Sequence, residues 1–262
     1  MEEKISPLML LSHMLSVSNQ TVESLKIGAI VIGSWNYELI KNMAEETGAE
    51  PIAFWPNRNK AYNWKVNGHN ITLIELPVGA PSAVSTTEML IACGAKAIIG
   101  IGMTGSLQPH IRIGDIVLPL GCLREEGTSY HYIEDDSRIL PGTKLSELLD
   151  EFLDKEGIKY EKGNIWTTDA IFRELNSKVE QYGKQGILSV EMETSAMYAV
   201  GKFRGVEICN LLAVSDELFG EWNPQLVGSV RLKASLEKIK ELLYKNIDQL
   251  LSEFSYELDG IV

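Results

Sequence analysis

The chain of 262 residues lacks any apolar run approaching the roughly 20 residues of a membrane-spanning helix. Its three cysteines, Cys93, Cys122 and Cys209, are odd in number and form no CxxC pair. That excludes a disulfide framework and a paired-thiol metal site, and it points to free thiols in a reducing cytosol. Positive charge is scarce: 24 Lys and Arg stand against 36 Asp and Glu, a net charge of −12. Nucleic acid and anionic membrane both demand a basic surface, so neither is expected as a partner. The start, MEEKISPLMLLSHMLSV, is acidic where a signal peptide is basic, and polar residues break its apolar part. Linkers, repeats and low-complexity stretches are missing too. No histidine lies within ligand spacing of the acids discussed below, so no metal and no cofactor is expected, and no Ser/His/Asp or Cys/His grouping can be read from spacing.

What is present is alternation. Near-continuous aliphatic runs at 25–33, 71–78, 96–102, 115–119, 164–168 and 206–215 read as strands covered on both faces. Between them lie helical patterns. Residues 82–93 are bracketed by Pro81 and Gly94, and 143–156 places Leu145, Leu148, Leu149, Phe152 and Leu153 on one face. A stripe of Leu232, Leu236, Ile239, Leu243, Ile247, Leu250 and Phe254 steps by three or four, the spacing of a core-facing helix. With 45% hydrophobic and 23% charged residues, this predicts one α/β domain over 1–262.

Ligands of α/β domains collect at the carboxyl ends of strands. Those ends carry Gly33, Gly79 and the GIGMTG segment at 100–105, where glycine permits close backbone approach. Taken singly, each is a tight turn; together they suggest a small-molecule cleft. Carboxylates sharpen the picture. Glu191 and Glu193, in VEMETSAMY, sit in a small, apolar context where charge is costly unless paired. A carboxylate only accepts hydrogen bonds, and sugar hydroxyls are a natural donor set. Asp216, just past the apolar run LLAVS, reads either as a proton donor or as the N-cap of a following helix.

The segments VGAPS (78–82), GIGMTGSLQPHIRIGDIVLP (100–119), EEGTSYHY (125–132), TTDAIF (167–172), VEMETSAMYAV (190–200) and AVSDE (213–217) occur in one order. In them the chain resembles the nucleoside phosphorylase family, which includes purine nucleoside and uridine phosphorylases and the methylthioadenosine/adenosylhomocysteine nucleosidases. The resemblance implies a mixed, barrel-like central sheet flanked by helices, and a homo-oligomer, either a dimer or a trimer of dimers. It implies that Glu193 accepts bonds from the 2′ and 3′ hydroxyls, that Met192 packs on the sugar and that Glu191 supports the site. It makes Asp216 the acid that protonates or hydrogen-bonds N7, which favours purine-type bases, and places Ile171 and Phe172 around the base. Gly33 and Gly102 would bring backbone N–H groups to the acceptor.

The acceptor is left open. Family phosphorylases carry an arginine four residues past Gly33 and another two before Gly102; here these positions are Tyr37 and Gly100, and Met103 stands where a hydroxyl is expected. Losing two charge-assisted contacts removes about 3–6 kcal/mol of anion binding. Arg58 would be the arginine lent by a neighbouring subunit, one residue off register, and His13 either the neighbour's histidine near the 5′ position or a plain helix residue. Glu38, five residues past Gly33, matches the water-activating glutamate of the nucleosidases; it also reads as a solvated first-turn residue. EEGTSYHY lies nearer the phosphorylase branch and SWNYE nearer the hydrolase branch. Water is therefore slightly favoured over phosphate as acceptor. The alternatives are phosphorolysis to ribose 1-phosphate and a non-catalytic nucleoside-binding relative.

Overall fold

Aliphatic runs too short for amphipathic helices pair instead, and the pairing runs through ten strands. In the computed structural model, which describes residues 3–56, 58–134, 138–225 and 228–255, the elements follow in the order α1 (Pro7–Ser16), β1 (Ile30–Ser34), α2 (Tyr37–Thr47), β2 (Glu50–Pro51), β3 (Ala61–Val66), β4 (His69–Glu75), α3 (Ala80–Ala92), β5 (Ala97–Ser106), β6 (Ile116–Glu125), α4 (Thr143–Lys155), β7 (Tyr160–Thr168), α5 (Asn176–Lys184), β8 (Ser189–Glu191), α6 (Thr194–Arg204), β9 (Glu207–Glu217), β10 (Asn223–Pro224), α7 (Val230–Lys245) and α8 (Ile247–Phe254). The strand order is β10-β9-β6-β7-β8-β5-β1-β4-β3-β2, and β9 also pairs with β5. That second pairing closes β5, β9, β6, β7 and β8 into a five-stranded mixed barrel, with β1, β4, β3 and β2 continuing outward. Closure removes the two open edges that these strands would otherwise expose.

The expected strands and helices exist with shifted ends. The 25–33 run enters its strand only at Ile30, because Glu23–Leu25 turns as a 3-10 helix. The glycines of 100–105 lie inside β5 rather than beyond it. They pair with β1 at Gly100, with β9 throughout and with β8 at Gly105. Helix α4 buries Leu145, Leu149, Phe152 and Leu153 of its predicted stripe and leaves Leu148 half-buried. The C-terminal stripe is shared by two helices. Asn246 breaks it, and its buried side-chain amide donates back to the Leu242 carbonyl at 2.9 Å.

Two apolar clusters sit on either side of the sheet. One joins α2, α4, α7 and α8 to the strands; the other joins α1, α3 and α6. Among the described residues, no helix is long and apolar enough to cross a membrane.

Candidate active site

The barrel strands end around one cavity of about 650 Å³. Strand β8 sits between β5 and β7: Val190 is opposite Gly105 on one side and Trp166 on the other. The chain leaving β8, Glu191–Met192–Glu193, therefore emerges at the cavity floor before α6 begins.

Glu191 stays underneath. Its carboxylate accepts from the Thr167 hydroxyl at 2.6 Å and from the backbone N–H groups of Glu193 and Thr194 at 2.8 Å each. It thus caps the first turn of α6, where N–H groups have no helical partner and favour negative charge. Burial pushes it up against the pull of those donors. Glu193 is 7% exposed and faces the cavity, and its Oε1 accepts from the Gly79 N–H at 2.6 Å. Burial first, and the charge of Glu191 second, push Glu193 up to about 8.

Asp216 is not a helix cap. It lies within β9, where Thr104 pairs with Val214 and Gly105 already pairs with Asp216. Ser215 is the extra residue of a β-bulge, a device that re-aims side chains beside sites. The bulge turns Asp216 into the cavity, over Gly105. Its Oδ1 accepts from the Ser215 hydroxyl at 2.8 Å and its Oδ2 from the Trp222 indole N–H at 3.0 Å.

Asp216, Glu193, Met192, Glu191, Ile171, Phe172 and Met103 line this cavity together. Phe172 is 95% exposed, an apolar ring presented with nothing packed over it. Glu38 is elsewhere. It lies in the first turn of α2, behind the Asn36 cap, and borders a second cavity of about 540 Å³ with Tyr37, Asn42 and Lys233. Trp35 and Met103 line both cavities and form their shared wall. Gly33 and Gly102 line neither; the first packs on Leu76 and the second on Leu212 and Trp35. Arg58 and His13 are exposed, and neither cavity includes them.

Trp35 explains the missing arginine at position 100. A side chain there would overlap the Asn210 amide oxygen, and its Cβ would stand 3.0 Å from the Trp35 ring. The indole is pinned by its N–H to the Pro77 carbonyl at 3.1 Å and covers Gly102 as well. Nothing in the SWNYE segment marks Trp35 for this role in the sequence. Glu174 and Trp222 are unmarked too, since they lie in polar stretches without periodicity. Glu174 lines the cavity half-buried; burial first and Asp216's charge second push it up to about 7. Among the described residues, no group of three or more His, Cys, Asp or Glu is placed to hold a metal ion.

The family model described as phosphorylase superfamily matches residues 26–249. The chain belongs to the phosphorylase superfamily. This superfamily chain is 32% identical, over 155 residues, to a DeoD-type purine nucleoside phosphorylase of Caldanaerobacter subterraneus subsp. tengcongensis, covering 58% of this chain and 66% of that protein. It is 27% identical over 221 residues to a uridine phosphorylase of Thermococcus kodakarensis, covering 76% and 79%. The crystal structure of purine nucleoside phosphorylase from Toxoplasma gondii in complex with immucillin-H matches with a TM-score of 0.79 at 21% identity, covering 90% of this chain and 95% of that one. At that identity the match speaks for the shared fold.

Proposed function

We propose that this superfamily member cleaves the N-glycosidic bond of a purine-type nucleoside and uses water as acceptor. One observation carries the choice of water. Among the described residues, the cavity wall includes four carboxylates, Glu174, Glu191, Glu193 and Asp216, and no lysine, arginine or histidine. A phosphate dianion entering there finds none of the charge-assisted donors it would need. A neutral nucleoside meets acceptors for its hydroxyls at Glu193 and, at Asp216, an acid for its base. Ile171, Phe172 and Trp222 supply apolar surface for the ring. Bond cleavage leaves an oxocarbenium-like sugar and an anionic base, and both carboxyl ends lower that barrier.

Glu38 is our candidate base for the attacking water. It lines the second cavity, which shares the wall residues Trp35 and Met103 with the first, so the water it activates would have to cross at that wall. The second reading is phosphorolysis, favoured by the printed names of the relatives, which are phosphorylases. It would draw cations from a second copy, with Arg58 and His13 crossing to the neighbour's site in a homo-oligomer. We place the reaction in the cytoplasm, consistent with three free cysteines. Incubation with a panel of purine nucleosides, with and without phosphate, tests the proposal. Free ribose supports hydrolysis, ribose 1-phosphate supports phosphorolysis, and no product leaves a nucleoside-binding relative.

A further inference from the structure

We propose that Glu174 is a second acid at the base end and that it, rather than Asp216, carries the proton delivered to the leaving base. The inference rests on the glycosidic reading above and holds for either acceptor.

The two carboxyl groups share one cavity but not one environment. Asp216 is met by two donors, Ser215 Oγ and Trp222 Nε1, one on each oxygen. Both of its oxygens are thus already serving as acceptors. Glu174 receives no hydrogen bond from any described residue; what faces it is the charge of Asp216 across the cavity. A carboxyl that lacks donors and faces another carboxylate's charge holds its proton more tightly than one met by donors. Burial first, and the charge of Asp216 second, raise Glu174 to about 7. The remaining titratable groups of the cavity wall are Glu193 and Glu191 from the β8–α6 junction, and burial pushes both of them up as well. Arg173, beside Glu174, is exposed and outside the wall, and Lys178 of α5 is paired with Glu125.

In the step this arrangement supports, the bond from the sugar C1′ to the base nitrogen breaks and its electron pair goes to the base. The Glu174 O–H proton passes to a ring nitrogen of the base, leaving two carboxylates. The acceptor bonds to C1′ and releases its own proton, which restores the pair. Asp216 keeps its two donors throughout, holds the base by the edge it can still reach, and keeps the proton on Glu174.

The experiment measures kcat/KM from pH 5.5 to 9 for the wild type, Glu174→Gln and Asp216→Asn, on a purine nucleoside and on 4-nitrophenyl β-D-ribofuranoside, whose leaving group needs no proton. Glu174, at about 7, must keep its proton and Glu193, at about 8, must have lost its own, so wild-type activity on the nucleoside should rise to about pH 7, level, and fall only above about 8. Glu193, at about 8, makes the opposite demand, so the readout is the presence of the falling limb rather than the position of the optimum. Glu174→Gln should remove that limb and lower the nucleoside rate about 10²–10⁴-fold, while leaving the nitrophenyl riboside rate within a few-fold of wild type. Asp216→Asn should start the plateau at lower pH and lower its height, leaving the falling limb where it is. Equal loss on both substrates, or a Glu174→Gln variant with the limb and rate intact, overturns the assignment. If the wild type cleaves neither substrate, the glycosidic reading falls and this inference falls with it.

Discussion

At the scale of single residues, each acid of the cavity has one thing to do, and its surroundings decide what. Glu193 keeps one oxygen on the Gly79 N–H and turns the other side of its carboxylate to the cavity. A ligand that donates two hydroxyls satisfies a group that burial otherwise penalises. Glu193→Gln should therefore cost about 1.5–3 kcal/mol of transition-state stabilisation for each charge-assisted bond lost. A 2′-deoxynucleoside, with one donor fewer, should feel the change less; steady-state rates on the matched pair of substrates check this, and equal losses would assign Glu193 to the scaffold. Asp216→Asn should lower purine nucleoside turnover about 10²–10⁴-fold, because the contact to the base edge and the charge that helps hold the proton on Glu174 are both lost. Full activity of that variant would sink the role given to Asp216. Gly100 is a residue whose meaning is space. Trp35 and Asn210 occupy the volume that any side chain at 100 would need. Gly100→Arg should therefore lose stability by about 1–3 kcal/mol, the usual cost of overpacking, rather than gain a phosphate contact. A melting curve with and without phosphate reads both halves of that statement.

Elements place these residues, and here the sequence was legible only in part. Short aliphatic runs and three-four stripes gave the strands and helices, because burial on both faces or on one face leaves a local signature. The ends were not legible, because they depend on neighbours. β5 runs through its glycines only because β1, β9 and β8 pair with them. Asp216 faces the cavity through a bulge at Ser215 that exists only in the β5–β9 register. The order of the motifs located Glu193 and Asp216 through resemblance, while Glu174 and Trp222 sit in aperiodic polar stretches whose relevance appears only when the barrel closes. Glu38 shows the same limit: its offset from Gly33 is read along the chain, but α2 carries it to the far side of the wall formed by Trp35 and Met103. That helix begins at Asn36, whose Oδ1 accepts from the Leu39 N–H at 3.2 Å. Removing the cap with Asn36→Ala should cost about 0.5–2 kcal/mol, measured by denaturant unfolding. It should also loosen the turn that carries Glu38. If Glu38 activates water, ribose release by this variant should fall further than nucleoside binding does, whereas a parallel fall would leave Glu38 a solvated first-turn residue.

For the whole molecule, the gathering of carboxylates in one cavity ties stability to pH. Folding raises Glu193 from its ordinary 4.5 to about 8 and Glu174 from 4.5 to about 7. A carboxyl raised by folding binds its proton more tightly in the native state than in the unfolded chain. Its contribution to stability is complete below the unfolded value and is lost as pH rises through the folded one. The window therefore runs from about pH 4.5 to about 8, with Glu174 expended first and Glu193 last. The ligand-free protein should melt at a lower temperature at pH 8.5 than at pH 6. Its net charge of −12 adds self-repulsion of the same sign, so the slope alone does not identify the source. Glu193→Gln separates them: an amide carries no charge to expel, and the variant should keep more of its pH 6 stability at pH 8.5 than the wild type does. A nucleoside that donates hydroxyls to the Glu193 carboxylate should offset the same penalty. It should therefore bind more tightly, and at one fixed concentration raise the melting temperature more, at pH 8.5 than at pH 6. A wild-type melting temperature that is flat or rising across this range, or a slope that Glu193→Gln leaves untouched, would show that the buried pair at the cavity floor does not titrate as its surroundings require.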